Sequence, residues 1–341
     1  MFTTVLTTSL QLLGFLVLFA LVALFVATLV ICVVYMRHIV RVFEEEPLLL
    51  PQRREPAEDG EEVRFRTADG LWLQGVWLPA RAEPQGVLIF CPGFKMDRWT
   101  ALEYVDEARD LGLEVFSFEF RNQGESEAEE GYRPMQWVTT REVRDVEAAM
   151  AHVRARQEDR ALPVRIVLFG VSRGGGAALV AASRDGDVAA LVTDGAFPTH
   201  GMQLAFMLRW VGIYASIPFI YKRIPRWYYA FLCFLTRCVV AWRNRCWFPS
   251  VERAAARLRV EGWLMIHGAK DSYIAPAVAQ ELFARARCAK ELWIVPGARH
   301  NQCHRTEPEE YKRRLRHFLL ETLRLGRLTY CEKGENTQRG A

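Results

Sequence analysis

The chain has 341 residues, 51% of them hydrophobic and 25% charged, enough for one large α/β domain or two ordinary ones. A formal charge of +4, with no basic stripe and no recognised binding motif, argues against a nucleic-acid partner. Eight cysteines without a CxxC pair read neither as a disulfide framework nor as a zinc ribbon, which makes a reducing compartment the simpler reading.

The first segment is apolar. No Asp, Glu, Lys, Arg or His occurs from Met1 to Met36. A helix over about residues 10–36 would be roughly 40 Å long, enough to cross a bilayer. A secretory signal peptide would start with basic residues and carry a shorter apolar core. Residues 1–43 are therefore expected to be a membrane anchor with a single span. Arg37 and Arg41 follow it, with Arg53 and Arg54 close behind, and nothing before it is basic. The positive-inside rule then puts the remainder of the chain in the cytoplasm. The absence of an Asn-x-Ser/Thr acceptor agrees with that side.

Residues 44–62, with mixed charge and prolines, read as a linker. From there the pattern changes. Val63–Thr67 and Leu71–Leu78, split by Ala68-Asp69-Gly70, predict a β-hairpin. Strand-like runs follow at Val87–Cys91, Glu114–Glu119, Arg165–Phe169, Ala189–Thr193, Gly262–His267 and Glu291–Val295. Helical stretches near 99–111, 136–158, 173–184, 276–287 and 306–325 alternate with them. Such alternation predicts an α/β fold with a mostly parallel, doubly covered sheet, entered by an antiparallel hairpin. The domain is expected over 63–327, with a frayed tail at 328–341.

One stretch breaks the rhythm. An insertion at about 197–250 carries thirteen aromatic residues between Phe206 and Phe248, interleaved with Lys222, Arg223, Arg226, Arg237, Arg243 and Arg245. Pro218 and Pro225 predict several short helices there rather than one long one. The mixture suits either a helical cap packed on the domain or a surface lying at a bilayer interface. A second span is disfavoured, because charges interrupt every stretch of sufficient length.

The chemistry centres on Gly170-Val171-Ser172-Arg173-Gly174. Gly-x-Ser-x-Gly alone is weak, since chance supplies it in roughly one chain in ten of this length. Here it lies between a strand and a helix, the setting of a nucleophile elbow. A serine nucleophile needs a base, and the base an orienting carboxylate, in the chain order Ser, acid, His. Asp271 and His300 each follow a strand-like run, in that order. Asp194, after the strand behind the elbow, is the rival acid, and His304, one helical turn from His300, the rival base. His267 reads as a packed histidine. Oxyanion donors are expected from the backbone N–H of Arg173 and of Phe94 in the Cys91-Pro92-Gly93-Phe94 loop. No metal or organic cofactor is implied.

These residues resemble a known family. The hairpin Ala68-Asp69-Gly70-Leu71, the Cys91–Phe94 loop, Glu119-Phe120-Arg121-Asn122-Gln123-Gly124-Glu125-Ser126, the elbow, His267–Asp271 and Gly297–His300 occur in the order of the serine aminopeptidase/monoacylglycerol lipase-like branch of the α/β-hydrolases. Cys91-Pro92 replaces a common His-Gly, and Glu119 a usual Asp. The resemblance covers residues 63–325 and implies an α/β-hydrolase fold. It also implies a serine hydrolase acting on an ester, thioester or peptide, and the N-terminal segment is similar to that of membrane-anchored members. The apolar, basic insertion favours a lipid or other lipophilic acyl substrate over a short peptide.

Overall fold

The computed structural model describes residues 2–46, 51–162, 165–214 and 223–323. Helix α1 (Phe2–Val34) continues through Tyr35 into α2 (Met36–Glu44). The stretch Ser9–Val34 is long and apolar enough to cross a membrane. Side chains are exposed from Ser9 to Ala27, but Thr28, Ile31, Cys32, Met36 and Ile39 are half-buried, and Val40 and Phe43 are buried.

The hairpin pairs β1 (Glu61–Arg66) with β2 (Trp72–Leu78). Its turn is closed by the Thr67 N–H donating to the Leu71 carbonyl at 2.9 Å. Gly70 takes φ +98° there, a backbone that side chains rarely adopt. The strands β3 (Gly86–Cys91), β4 (Leu113–Phe118), β5 (Ile166–Val171), β6 (Val188–Asp194), β7 (Gly262–Gly268) and β8 (Lys290–Val295) complete an eight-stranded sheet ordered β1-β2-β4-β3-β5-β6-β7-β8. Only β1–β2 and β2–β4 are antiparallel, and every other pairing is parallel. The strands from β3 to β7 are buried throughout, which is why they read as continuous apolar runs rather than alternating ones.

Two apolar layers cover the sheet. Helix α3 (Ala101–Tyr104) belongs to the broken stretch after β3. A capping box at Thr139 and Glu142 starts α4 (Thr140–Asp159). With α4 on one face pack α5 (Arg173–Arg184), and further along the chain α8 (Val251–Arg257) and α9 (Pro276–Arg285). The opposite face is covered by the segment 98–111 and the C-terminal helix α11 (Pro308–Leu323), which follows the short α10 (Cys303–Thr306).

Two local expectations change. The single helix expected near 99–111 is three short pieces, two of them 3-10 turns. Asp97 caps the first through Thr100 N–H, and Val105, at φ −136°, leaves the helical region and ends the second. Among its described residues, the insertion between β6 and β7 holds two helices, α6 (Thr199–Tyr214) and α7 (Arg226–Arg243), each longer than the short helices expected there. Pro225 stands at the N-cap of α7, where a missing N–H breaks nothing. Pro218 and the polar tail lie outside the described residues.

Candidate active site

The elbow follows from strand β5 running directly into α5. Ser172 takes φ +51°, ψ −117°, a strained turn that sets its side chain off the end of the strand. Its backbone N–H donates to the Asp194 carbonyl at 2.7 Å, which ties the turn to β6. The flanking glycines permit the tight approach. A Cβ on Gly170 would lie 2.4 Å from the Gly175 Cα, and one on Gly174 only 2.3 Å from the carbonyl oxygens of Cys91 and Pro92.

Loops after β7 and β8 bring the other two residues to this point. Ser172 Oγ lies 2.9 Å from His300 Nε2, and His300 Nδ1 lies 2.7 Å from Asp271 Oδ2. A carboxylate only accepts, so Nδ1 carries the proton and Nε2 is left to accept from the serine hydroxyl. Asp271 is held in turn: Oδ1 accepts the N–H groups of Tyr273 (2.9 Å) and Ile274 (2.8 Å). All three residues are largely enclosed, Ser172 at 3% and Asp271 at 4% exposure.

The rivals go elsewhere. Asp194 is fully buried, its Oδ2 accepts from the Tyr311 hydroxyl at 3.1 Å, and burial pushes its carboxyl up to about 6. His304 packs on Tyr104 with ring centroids 4.0 Å apart and meets Glu103 Oε2 at 3.2 Å, and burial pulls its imidazole down to about 4. His267 is buried, with Nε2 2.9 Å from the Ile274 carbonyl and 3.5 Å from Asp271 Oδ2, so it supports the acid's loop from behind.

The backbone N–H groups of Phe94 and Arg173 engage no acceptor among the described residues, and the Cys91–Phe94 loop packs against the elbow and the start of α5. The Arg173 side chain is buried beneath this loop. Its guanidinium donates to the Met135 carbonyl at 2.9 Å, approaches Glu142 at 3.5 Å, and lies 4.8 Å from the Phe94 ring. The two departures from the family pattern are structural: Cys91 is fully buried, and Glu119 accepts from Arg98 and from the Glu125 N–H.

The structure adds one neighbour that sequence reasoning passed over. Tyr273 sits 5.1 Å from the His300 ring and 5.7 Å from Phe206 of α6, and its hydroxyl donates to Gln136. Its place two residues after Asp271 is the one signal that could have drawn attention to it. Phe206 also meets Trp137 at 5.8 Å, so α6 reaches the Tyr273 ring beside His300 through aromatic contacts.

A family model described as the alpha/beta hydrolase family matches residues 88–314. No curated protein matches the sequence significantly. Among solved structures, the chain is similar to the esterase PF2001 of Pyrococcus furiosus, at 20% identity over 82% of this chain and 99% of that one, with a TM-score of 0.58. It is also similar to the alpha/beta hydrolase GrgF from Penicillium sp. sh18, at 21% identity over 77% and 99%, with a TM-score of 0.55. Est1E from Butyrivibrio proteoclasticus follows at 15% identity over 77% and 98%, with a TM-score of 0.54. Strand order, elbow and family match agree, and the chain belongs to the alpha/beta hydrolase family.

Proposed function

We propose that this protein is a membrane-anchored serine hydrolase that cleaves an acyl ester or thioester of a lipophilic substrate. The observation that carries the reading is the relay Ser172–His300–Asp271, with contacts of 2.9 and 2.7 Å. His300 Nε2 takes the proton as Ser172 Oγ attacks the acyl carbon, and Asp271 stabilises the imidazolium that forms. The tetrahedral oxyanion accepts from the N–H groups of Phe94 and Arg173. His300 then hands the proton to the departing alcohol or thiol, and water, activated the same way, releases the acid. Each oxyanion donor is worth about 3–4 kcal/mol of barrier.

The helices α6 and α7 act as a cap, and their exposed Ile213, Trp227, Phe231 and Phe234 support an apolar substrate. Helix α1 anchors the enzyme as a single span, with the catalytic domain on the cytoplasmic side. A fluorophosphonate probe should label the wild type and leave Ser172→Ala unlabelled, and equal labelling of both would remove Ser172 from the mechanism. Turnover of p-nitrophenyl esters of graded chain length, compared with aminoacyl anilides, separates this reading from a peptidase. A preference for anilides would overturn the lipophilic-ester assignment, and failure to turn over either would favour a non-catalytic lipid-binding protein of the same fold.

A further inference from the structure

Three contacts between the N-terminal helices and α7 share one register. Thr28 Oγ1 lies 2.9 Å from the Tyr228 hydroxyl, the Thr236 hydroxyl is 3.7 Å from Met36 Sδ, and Asn244 Nδ2 donates to Glu44 Oε1 at 2.7 Å. Each step advances both chains by eight residues, so α7 runs parallel to the α1–α2 rod over about 24 Å. The half-buried and buried positions of the rod, from Thr28 to Phe43, recur every three or four residues on the face turned to α7. Trp137 Nε1 adds a 2.8 Å bond to the Phe43 carbonyl. The end of the apolar helix is thus packed into the insertion.

This packing has a consequence for depth. Arg226 and Trp227, both exposed, begin α7 at the level of Val26 and Ala27. If hydrocarbon reached Val34, where the apolar run ends, Arg226 would lie about 12 Å inside it, a position arginine strongly disfavours. A boundary near Ala27 removes the conflict. The helix from Phe2 to Ala27 is still about 39 Å long against a core of about 30 Å. Arg223 and Arg226 then meet the headgroups, and Trp227, 60% exposed, takes the interfacial position that tryptophan favours.

We infer that residues 28–44 belong to the cap rather than to the bilayer, and that the rim of the cap at Arg223, Arg226 and Trp227 rests in the lipid headgroup layer. The span expected at about residues 10–36 is thereby shortened at its C-terminal end, and cap and anchor form one body whose height above the membrane is set by the helix pair. The inference rests on the proposed anchoring, and the test separates the two.

An environment-sensitive fluorescent amino acid is placed singly at Phe19, Val33, Trp227 or Trp242 of the full chain, all exposed positions. Each variant is reconstituted in phosphatidylcholine/phosphatidylserine vesicles with and without acyl-chain-brominated lipid, and fluorophosphonate labelling verifies that its fold is intact. Quenching is expected at Phe19 and Trp227, with none at Val33 or at Trp242, which stands about 22 Å further along α7. Quenching at Val33 as strong as at Phe19 overturns the shortened span, and an unquenched Trp227 overturns the docked rim. If Trp227 is unquenched and the protein is dimeric by light scattering, that face belongs to a second copy and the inference also fails. An unquenched Phe19 would instead remove the anchoring itself.

Discussion

Replacing Gly174 by alanine perturbs the active site without touching any of the reacting side chains. The new Cβ would stand 2.3 Å from the carbonyl oxygens of Cys91 and Pro92 and 2.8 Å from the Cys91 carbonyl carbon. All of these are backbone atoms, so no flexible side chain can yield. Ordinary contact begins at 3.4 Å, which requires a separation of about 1 Å between α5 and the loop after β3. Those two elements carry the Arg173 and Phe94 N–H groups. Misplacing a catalytic group by about 1 Å costs on the order of 100-fold in rate, and overpacking costs about 1–3 kcal/mol of stability. The assay is kcat and KM on p-nitrophenyl acetate, normalised to sites titrated by fluorophosphonate, together with a urea midpoint. The expected result is a kcat reduced about 100-fold with KM little changed. Gly212→Ala is the control: nothing lies within 4 Å of its Cβ, and alanine in the helix should be neutral or stabilising by up to about 1 kcal/mol. A titrated Gly174→Ala enzyme with wild-type kcat would refute the assignment of those two N–H groups as the oxyanion donors.

Other perturbations probe the acid, the frame and a buried carboxyl. Asp271→Asn should keep the fold but leave His300 in the wrong tautomer, lowering kcat by about four orders of magnitude, while Asp194→Asn should leave the relay in place. Arg121 and Asp145, both fully buried and 2.6 Å apart, brace the loop after β4. Arg121→Ala should cost about 3–5 kcal/mol in urea unfolding, and Arg121→Ala/Asp145→Ala less than the sum of the single changes. Asp194 has its carboxyl raised to about 6 by burial, against about 3.9 unfolded. The native state therefore holds more protons over that interval, so this group makes stability fall as pH rises from about 4 to about 6, by on the order of 3 kcal/mol. Asp194→Asn should flatten that portion of the stability–pH curve, and an unchanged wild-type-minus-variant difference between pH 4 and pH 7 would contradict it.

Much of the framework was legible in the chain itself because its signals are local. Five central strands, buried on both faces, are apolar runs wherever they are read, and the turn at Gly70 and the elbow at Ser172 require small residues within a few positions. Chain order alone nominated Asp271 and His300, since a parallel sheet delivers the ends of successive strands to one edge. It favoured Asp271 over Asp194 but did not exclude the latter. Both stand at the ends of neighbouring strands, and only the fold shows which carboxylate the His300 ring turns toward, at 2.7 Å. The same holds for His304, one turn from His300 in sequence yet pointed at Glu103.

The apolar N-terminal stretch marks the limit of the sequence most clearly. Hydropathy established a helix long enough to cross a membrane, because burial in lipid and burial against protein demand the same residues. Which part of it meets protein depended on partners two hundred positions away, Tyr228, Thr236 and Asn244, whose register along the helix exists only once the sheet has folded and set the insertion beside it. Sequence decided that the helix is apolar enough to be buried, and tertiary structure decided where protein takes that place, because which distant segment covers a helical face is set by packing geometry.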